Sequence, residues 1–417
     1  MHRNGGSRVN LFLSLALRNV FRNRLRTIIA LLAIAIGCAA LILNGGIIVN
    51  IFRELREDAI RGRHGHLQIY ANGYSENHLQ TPERYLVSAS ETNRVLELVR
   101  SNPRVLRATR RREFSGLISN NGRYVPFLGV GVEPQDDAEF SRHTTLRAGE
   151  PLGADKPYIV LAGLGLAKKL NVHPGDILNL MTTTESGVLN SMHVRLAGVF
   201  EGGMKEFDDW TLKVPISLVE HLLGDDRTEQ IVVLISRTED VPLVQSELRE
   251  VFRRDRLDLE LRSWDQLAVF HNQVVGLFGR ELGIIRLIVG TIVILGISNV
   301  IGMALLERRL ELATFRALGL RARNIGVLLM TESLLIGLLG AGAGVLLGIG
   351  TAKIASAIGI SYPSPPGGTR PFVGGVDVAP GMVLAAATIS IFAALAAAII
   401  PVWKAIRSPI ASTLRHS

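Results

Sequence analysis

Three groups of residues have types and spacing that could do chemistry. Glu206, Asp208 and Asp209 stand together after Gly202-Gly203, the kind of acid cluster that serves general acid–base work or Ca²⁺ binding. A solvated loop is the plainer reading of those acids. Arg110, Arg111 and Arg112 form a basic run that reads as a solvated strand edge, with phospholipid contact as the alternative. Gly163-Leu164-Gly165 precedes Lys168 and Lys169, yet the spacing is wrong for a phosphate loop and no Ser or Thr follows Lys169. No Gly-x-x-x-x-Gly-Lys-[Ser/Thr], His-Glu-x-x-His or Gly-x-Ser-x-Gly pattern occurs, and the histidines are dispersed. The chain has one cysteine, Cys38, so an intramolecular disulfide and a Cys-rich zinc site are excluded. The expectation is a protein without a catalytic, metal or cofactor site of its own; any ATP would be bound and hydrolysed by a partner.

The strongest local signal lies at 307–319, Glu307-Arg308-Arg309-Leu310-Glu311-Leu312-Ala313-Thr314-Phe315-Arg316-Ala317-Leu318-Gly319. Leu310, Ala313, Ala317 and Leu318 fall at helical spacing, with charges on the other face, and Gly319 suits a helix C-terminus. Such a short amphipathic helix fits a groove on another protein. The alternative is a solvated loop that only fixes topology.

The elements that hold this segment are apolar. The 417-residue chain is 47% hydrophobic, with a mean hydropathy of +0.28. Residues 28–49, 287–306, 333–352 and 378–403 contain no charged side chain. Each run is about 20 residues or longer, enough to cross a hydrocarbon core as a helix. Gly340, Gly342 and Gly344 in the third run read as close helix packing. Residues 11–24 read either as an interfacial amphipathic helix or as a prolongation of the first span.

The formal net charge of +9 is distributed unevenly. Residues 1–26, 307–323 and 404–417 together hold fourteen basic and two acidic residues, net +12, whereas 53–275 hold 28 basic and 32 acidic, net −4. By the positive-inside rule the short basic segments and both termini face the cytoplasm, and the long middle segment lies outside. The charge is thus a topology signal, and nucleic acid drops out as a partner. Within 53–275, strands are expected at 66–71, 124–132, 177–181, 193–200 and 230–235, with helices at 91–100, 163–170, 217–223 and 241–254. Residues 230–261 read as a β-α-β unit, and the whole domain as α+β with two lobes. The fold expected is an α-helical membrane protein of four transmembrane helices (28–52, 276–306, 324–356, 378–403). The α+β extracytoplasmic domain is inserted between the first two, and a Pro/Gly-rich loop occupies 357–377.

At 307–319 the chain resembles the FtsX-like, or MacB-type, permease family of ABC transporters, whose hallmark is E-R-R-x-E-[IL]-x-x-[FL]-R-A-L-G. Residues 16–27, 332–337, 401–414 and 166–176 are similar to further segments of that family. The loop 362–370, with Pro363, Pro365, Pro366 and Arg370, is similar to the Pro-Pro-Pro-Gly loop of LolC/LolE-like lipoprotein-releasing permeases. The resemblance implies mechanotransmission in a bacterial inner membrane. A cytoplasmic ATPase dimer would move the coupling element Glu307, Arg308, Glu311, Arg316 and Gly319 of two permease subunits, alike or different, and the outer domains would work in the periplasm. Substrate would be lipid-borne, pass to a periplasmic carrier or adaptor, and be admitted near Leu41, Ile48, Val275 and Phe278, residues chosen by depth alone. The alternatives are efflux of a peptide or antibiotic and FtsX-like activation of a periplasmic hydrolase.

Overall fold

The computed structural model describes residues 18, 24–77, 82–141, 144–184, 186–307, 314, 321–362, 364, 368–369 and 372–407. The chain divides into two compact units, Met1–Phe52 with Val275–Ser361 and Val373–Ser417, and Arg53–Val274 with Tyr362–Phe372. In chain order, helix α1 (Arg24–Ala59) precedes β1 (Leu67–Ala71), α2 (Ala89–Arg100), β2 (Val105–Asn120), β3 (Arg123–Val132) and α3 (Pro134–Phe140). Then come β4 (Thr145–Gly149), β5 (Ile159–Gly163), α4 (Leu164–Leu170), β6 (Ile177–Thr183), β7 (Leu189–Glu201), α5 (Lys205–Trp210) and β8 (Thr211–Pro215). The chain continues through α6 (Ile216–Leu223), β9 (Gln230–Ile235), α7 (Val241–Arg254) and β10 (Leu259–Ser263), and ends in α8 (Val269–Glu307), α9 (Ala322–Ile358) and α10 (Pro380–Arg407).

Among the described residues, helices α1, α8, α9 and α10 are the four that are long and apolar enough to cross a membrane. α1 and α8 both run past the uncharged stretches, because charged residues such as Arg53-Glu54 and Arg280-Glu281 are good helix formers. Packing within this unit relies on small residues. A Cβ on Gly340 would lie 2.8 Å from Ile34 Cβ, one on Gly344 2.6 Å from Cys38 Cβ, and one on Gly348 3.0 Å from Ile42 Cδ1. These glycines, four apart on α9, let α1 approach backbone to backbone. Gly342, by contrast, faces nothing within 4 Å. Ala393, Ala394 and Ala397 of α10 are buried with Ile34, Val293 and Ile297 in one cluster.

The other unit is built on a ten-stranded sheet. At one end β10, β1 and β9 lie side by side, with β1 antiparallel to both, so β9-α7-β10 is a split β-α-β unit. Val241, Val244, Leu248 and Phe252 recur at helical spacing and bury α7, while Val95, Leu96 and Val99 do the same for α2. Ser88 caps α2 by accepting a bond from the Glu91 amide. β9 is buried on both faces: Ile231, Val233 and Ile235 pack under the helices, and Val232 and Leu234 against Ile60 and Phe140.

At the other end the pairings close on themselves. β2 pairs β3, β3 pairs β8 in parallel, β8 pairs β5, β5 pairs β7 in parallel, β7 pairs β6, and β6 returns to β2. Closure removes exposed edges, and the interior is filled by alternating inward residues such as Phe114, Ile118, Leu178, Leu180 and Leu196, with α4 and α6 completing the cluster. The two lobes of the domain are thus an open layer and a closed ring on one sheet. They share β2, which pairs β9 along its first half and β3 and β6 along its second.

Candidate functional site

The 307–319 segment begins where α8 ends. Glu307 is the last residue of that helix and is exposed, Thr314 is helical and exposed, and Arg321 immediately precedes α9. Arg308, Glu311, Arg316 and Gly319 lie outside the described residues, as do the 11–17 and 19–23 parts of the N-terminal amphipathic stretch.

The four residues selected by depth fall on α1 and α8. Leu41 is buried with Cys38, Ile42 and Ala386, and Ile48, two turns on, is also buried. Val275 and Phe278 are half-buried, and Phe278 meets Phe52 edge to face at 6.3 Å between ring centroids. Phe52 was not legible as a contact, because its partner is more than two hundred residues away in the chain.

Of the Pro/Gly-rich loop, Pro363, Pro365, Pro366 and Arg370 lie outside the described residues. Its Gly368 and Thr369 are held against the turn before α5. Gly368 forms a β-bridge with Met204, the Thr369 amide donates to Gly203 O at 3.0 Å, and the Thr369 hydroxyl donates to Asp208 Oδ2 at 3.3 Å. Asp208 Oδ1 accepts from the Gly202 amide at 2.6 Å. The acid cluster is therefore not a solvated loop. It forms a short helix in which Asp208 is buried and ties the loop to the domain, while Asp209 pairs with Lys169 and Lys205. Gly163, set aside as a phosphate-loop candidate, is small because a Cβ there would lie 2.4 Å from Asp208 O. Among the described residues no group of three or more His, Cys, Asp or Glu could hold a metal ion.

The arginine run also departs from expectation. It is not a solvated edge, since β2 has neighbours on both sides and Arg111 and Arg112 are buried. Arg110 pairs with Glu133 at 2.8 Å and with Glu220 at 2.7 Å. Arg112 pairs with Asp225 at 3.0 Å and donates to the carbonyls of Asp225 and Arg227. Arg111 donates to Arg63 O at 2.5 Å and lies over the Phe140 ring, 4.8 Å from its centroid. Nearby, Lys213 of β8, also buried, contacts Asp137 Oδ1 at 3.3 Å and Ser141 Oγ at 2.7 Å. Burial pushes the Lys213 and Arg111 pKa values down, with Asp137 opposing. Burial alone would raise the Asp137 carboxyl, but Lys213 and Arg111 outweigh it and hold it below the usual range. Lys213 carries no sequence signal, since a lone lysine in a strand reads as surface.

Comparison with known proteins places this architecture. The MacB-like periplasmic core domain family matches residues 27–251, and the FtsX-like permease C-terminal family matches residues 283–410. The chain is 26% identical over 222 residues to an uncharacterized ABC transporter permease of Methanocaldococcus jannaschii, covering 51% of this chain and 53% of that one. It is 24% identical over 359 residues to the pyoverdine export ATP-binding/permease protein PvdT of Pseudomonas fluorescens, covering 83% of this chain and 53% of the relative. The chain thus spans about half the length of these curated relatives. The periplasmic region of MacB from Actinobacillus actinomycetemcomitans aligns with a TM-score of 0.38 at 16% identity, over 52% of this chain and 95% of that one. With one family matching more than half of its residues and the other most of the remainder, the chain belongs to the ABC transporter permeases of the MacB/FtsX type.

Proposed function

We propose that the chain is a permease subunit that works by mechanotransmission in a bacterial inner membrane. ATP hydrolysis by a separate cytoplasmic ATPase dimer would be passed to the domain between α1 and α8, which acts in the periplasm on a lipid-borne amphiphile. Lipoprotein or lipid release, with hand-over to a periplasmic carrier, is the first reading. The observation that carries the mechanism is the order of matched parts, one apolar helix, a MacB-like periplasmic core and three further apolar helices. The spans support it in a second way. Their uncharged stretches pack through glycine and alanine and offer no row of ionisable residues for a polar pathway.

Both termini lie in the cytoplasm on this reading, and Glu307, Arg308, Glu311, Arg316 and Gly319 form the contact with the ATPase. A second permease copy or a related chain completes the complex. Export of a small amphiphile through a periplasmic adaptor is the second reading, favoured by relatives whose names specify macrolide or pyoverdine export.

The test is reconstitution with the cognate ATPase in proteoliposomes. Release of a lipoprotein to a soluble acceptor should require ATP and should be abolished when Glu307 and Glu311 are both reversed to Lys. Unchanged release in that double variant would remove the coupling assignment. Export of a fluorescent amphiphile without lipoprotein release would decide for the second reading.

A further inference from the structure

Helix α1 does not end in an ordinary cap. It runs without a break into a π-turn at Ile60–His64, closed by the Gly65 amide donating to Ile60 O at 2.8 Å. Such turns are rare and occur mostly as single insertions at functional positions. The turn and the last residues of α1 belong to the domain unit, which begins at Arg53. They lead into β1 through Gly65 and His66 alone, and β1 is paired on both sides, with β9 and with β10.

The turn is held from several directions. Ile60 is fully buried in one cluster with Phe140, Val232 and Leu234. Gly65, at φ +67°, leaves the turn against β9, where a Cβ would lie 2.4 Å from Val232 Cγ1 and 3.0 Å from Val233 O. The end of a helix leaves carbonyls without intrahelical partners. Here Arg63 O accepts from Arg111 Nη1 at 2.5 Å, and His64 O from Gln68 Nε2 at 2.9 Å. Arg111 is buried and comes from β2, far along the chain from the turn it holds. Its guanidinium is seated over Phe140, which shares the cluster of Ile60. A cation at this position also meets the negative end of the helix dipole.

We propose that the π-turn is a stiff joint and that Arg111 is its positioning residue, holding the end of α1 and the sheet as one body. Motion arriving along α1 then displaces the sheet instead of bending the chain at residues 60–66. The use of this joint in transport rests on the mechanotransmission reading; its stiffness does not.

The experiment reads stiffness by pulsed electron paramagnetic resonance on the full chain in detergent. Cys38→Ser is the background, and labelled chains are diluted with unlabelled ones. Spin labels at Arg53→Cys on α1 and Glu97→Cys on α2, both exposed positions, report the joint. Labels at Glu97→Cys and His221→Cys, on α2 and α6, report the fold of the domain. The parent should give one narrow distance distribution for each pair. Ile60→Ala, which leaves the hydrogen-bonding groups of the turn in place, and Arg111→Gln should broaden the first pair and leave the second narrow. Arg112→Gln removes a buried arginine of the same strand whose donors go to Asp225 and Arg227, and should broaden neither.

A first pair as narrow in Ile60→Ala and Arg111→Gln as in the parent would overturn the proposal, and so would equal broadening in Arg112→Gln. Where the second pair shows that Arg111→Gln has lost its fold, Ile60→Ala decides. In proteoliposomes with the cognate ATPase, the loosened variants should hydrolyse ATP at the parent rate and lose lipoprotein release. Release at the parent rate from a variant with a broadened first pair would also overturn the joint. A parent chain without lipoprotein release would count against the transport reading alone, since the spin-label distances need no transport.

Discussion

Gly344→Ala offers a sharp test of how the apolar helices are held. The new Cβ would lie 2.6 Å from Cys38 Cβ, 2.8 Å from Ala35 O and 3.0 Å from Ala35 Cα. Carbon atoms in ordinary contact stand about 3.5–4.0 Å apart, so α1 and α9 must separate by roughly 1 Å. Two of the three obstructing atoms are backbone and cannot swing aside. Overpacking of this kind costs about 1–3 kcal/mol, offset by up to about 1 kcal/mol from the better helix propensity of alanine.

Gly342→Ala is the internal control. It brings the same propensity gain on the same helix and meets nothing within 4 Å. The two variants should therefore differ by about 1–3 kcal/mol, a factor of roughly 5–150 in the population that opens.

The assay is built into the chain. Cys38 is its one cysteine, is fully buried, and lies 3.8 Å (Sγ) from Ala341 O across the same interface. Labelling by a thiol-reactive fluorophore in detergent therefore reports separation of α1 from α9. Gly344→Ala should label faster at a fixed temperature and release its thiol at a lower temperature, while Gly342→Ala should match or exceed the parent. Equal labelling of the two variants would refute the close-packing account.

Three further outcomes follow from the domain unit. His66 Nδ1 accepts from the Ile235 amide at 3.1 Å, and burial pushes its pKa down from 6.5 to about 4. A histidine held neutral stabilises fully above the unfolded pKa, so stability should decline from pH ~6.5 and level off near pH 4, by at most about 3 kcal/mol. Denaturant midpoints across that range should show this slope, and His66→Asn, which keeps an acceptor but does not titrate, should reduce it to the part that belongs to His64, whose pKa burial lowers to about 3. Asp137→Asn strands the buried Lys213 and should cost about 3–5 kcal/mol, whereas Asp137→Asn with Lys213→Met should recover much of the loss, as read from thermal midpoints. Asp208→Ala removes the acceptor for both the Gly202 amide and the Thr369 hydroxyl. Limited proteolysis should then cut the 362–372 loop faster, with a stability loss of about 1–3 kcal/mol, and Thr369→Val should do so more weakly.

Much of the architecture was legible because membrane solvation leaves a strong local signature. Uncharged runs and segregated arginines need no tertiary information to be read, and α1, α8, α9 and α10 fall on those runs. The β-α-β unit at 230–261 was legible for a related reason, since α7 carries clear helical periodicity and β9 is an apolar run of strand length. The long strand β2 was not, because RATRRR has no apolar alternation. Its arginines tolerate a central position only because Glu133, Glu220 and Asp225 arrive from elsewhere in the chain.

The class of protein, its long apolar helices, its charge asymmetry and its family were therefore readable without the fold. These depend on composition and on spacing within short windows. Only the tertiary structure decided that six strands close into a ring, that Asp208 holds a loop some 160 residues away, and that Lys213 and Arg111 share one cavity. The physical reason is common to all three. A charged or polar side chain is read as exposed until a partner of low local propensity and high sequence separation is brought to it, and that pairing exists only in the folded chain.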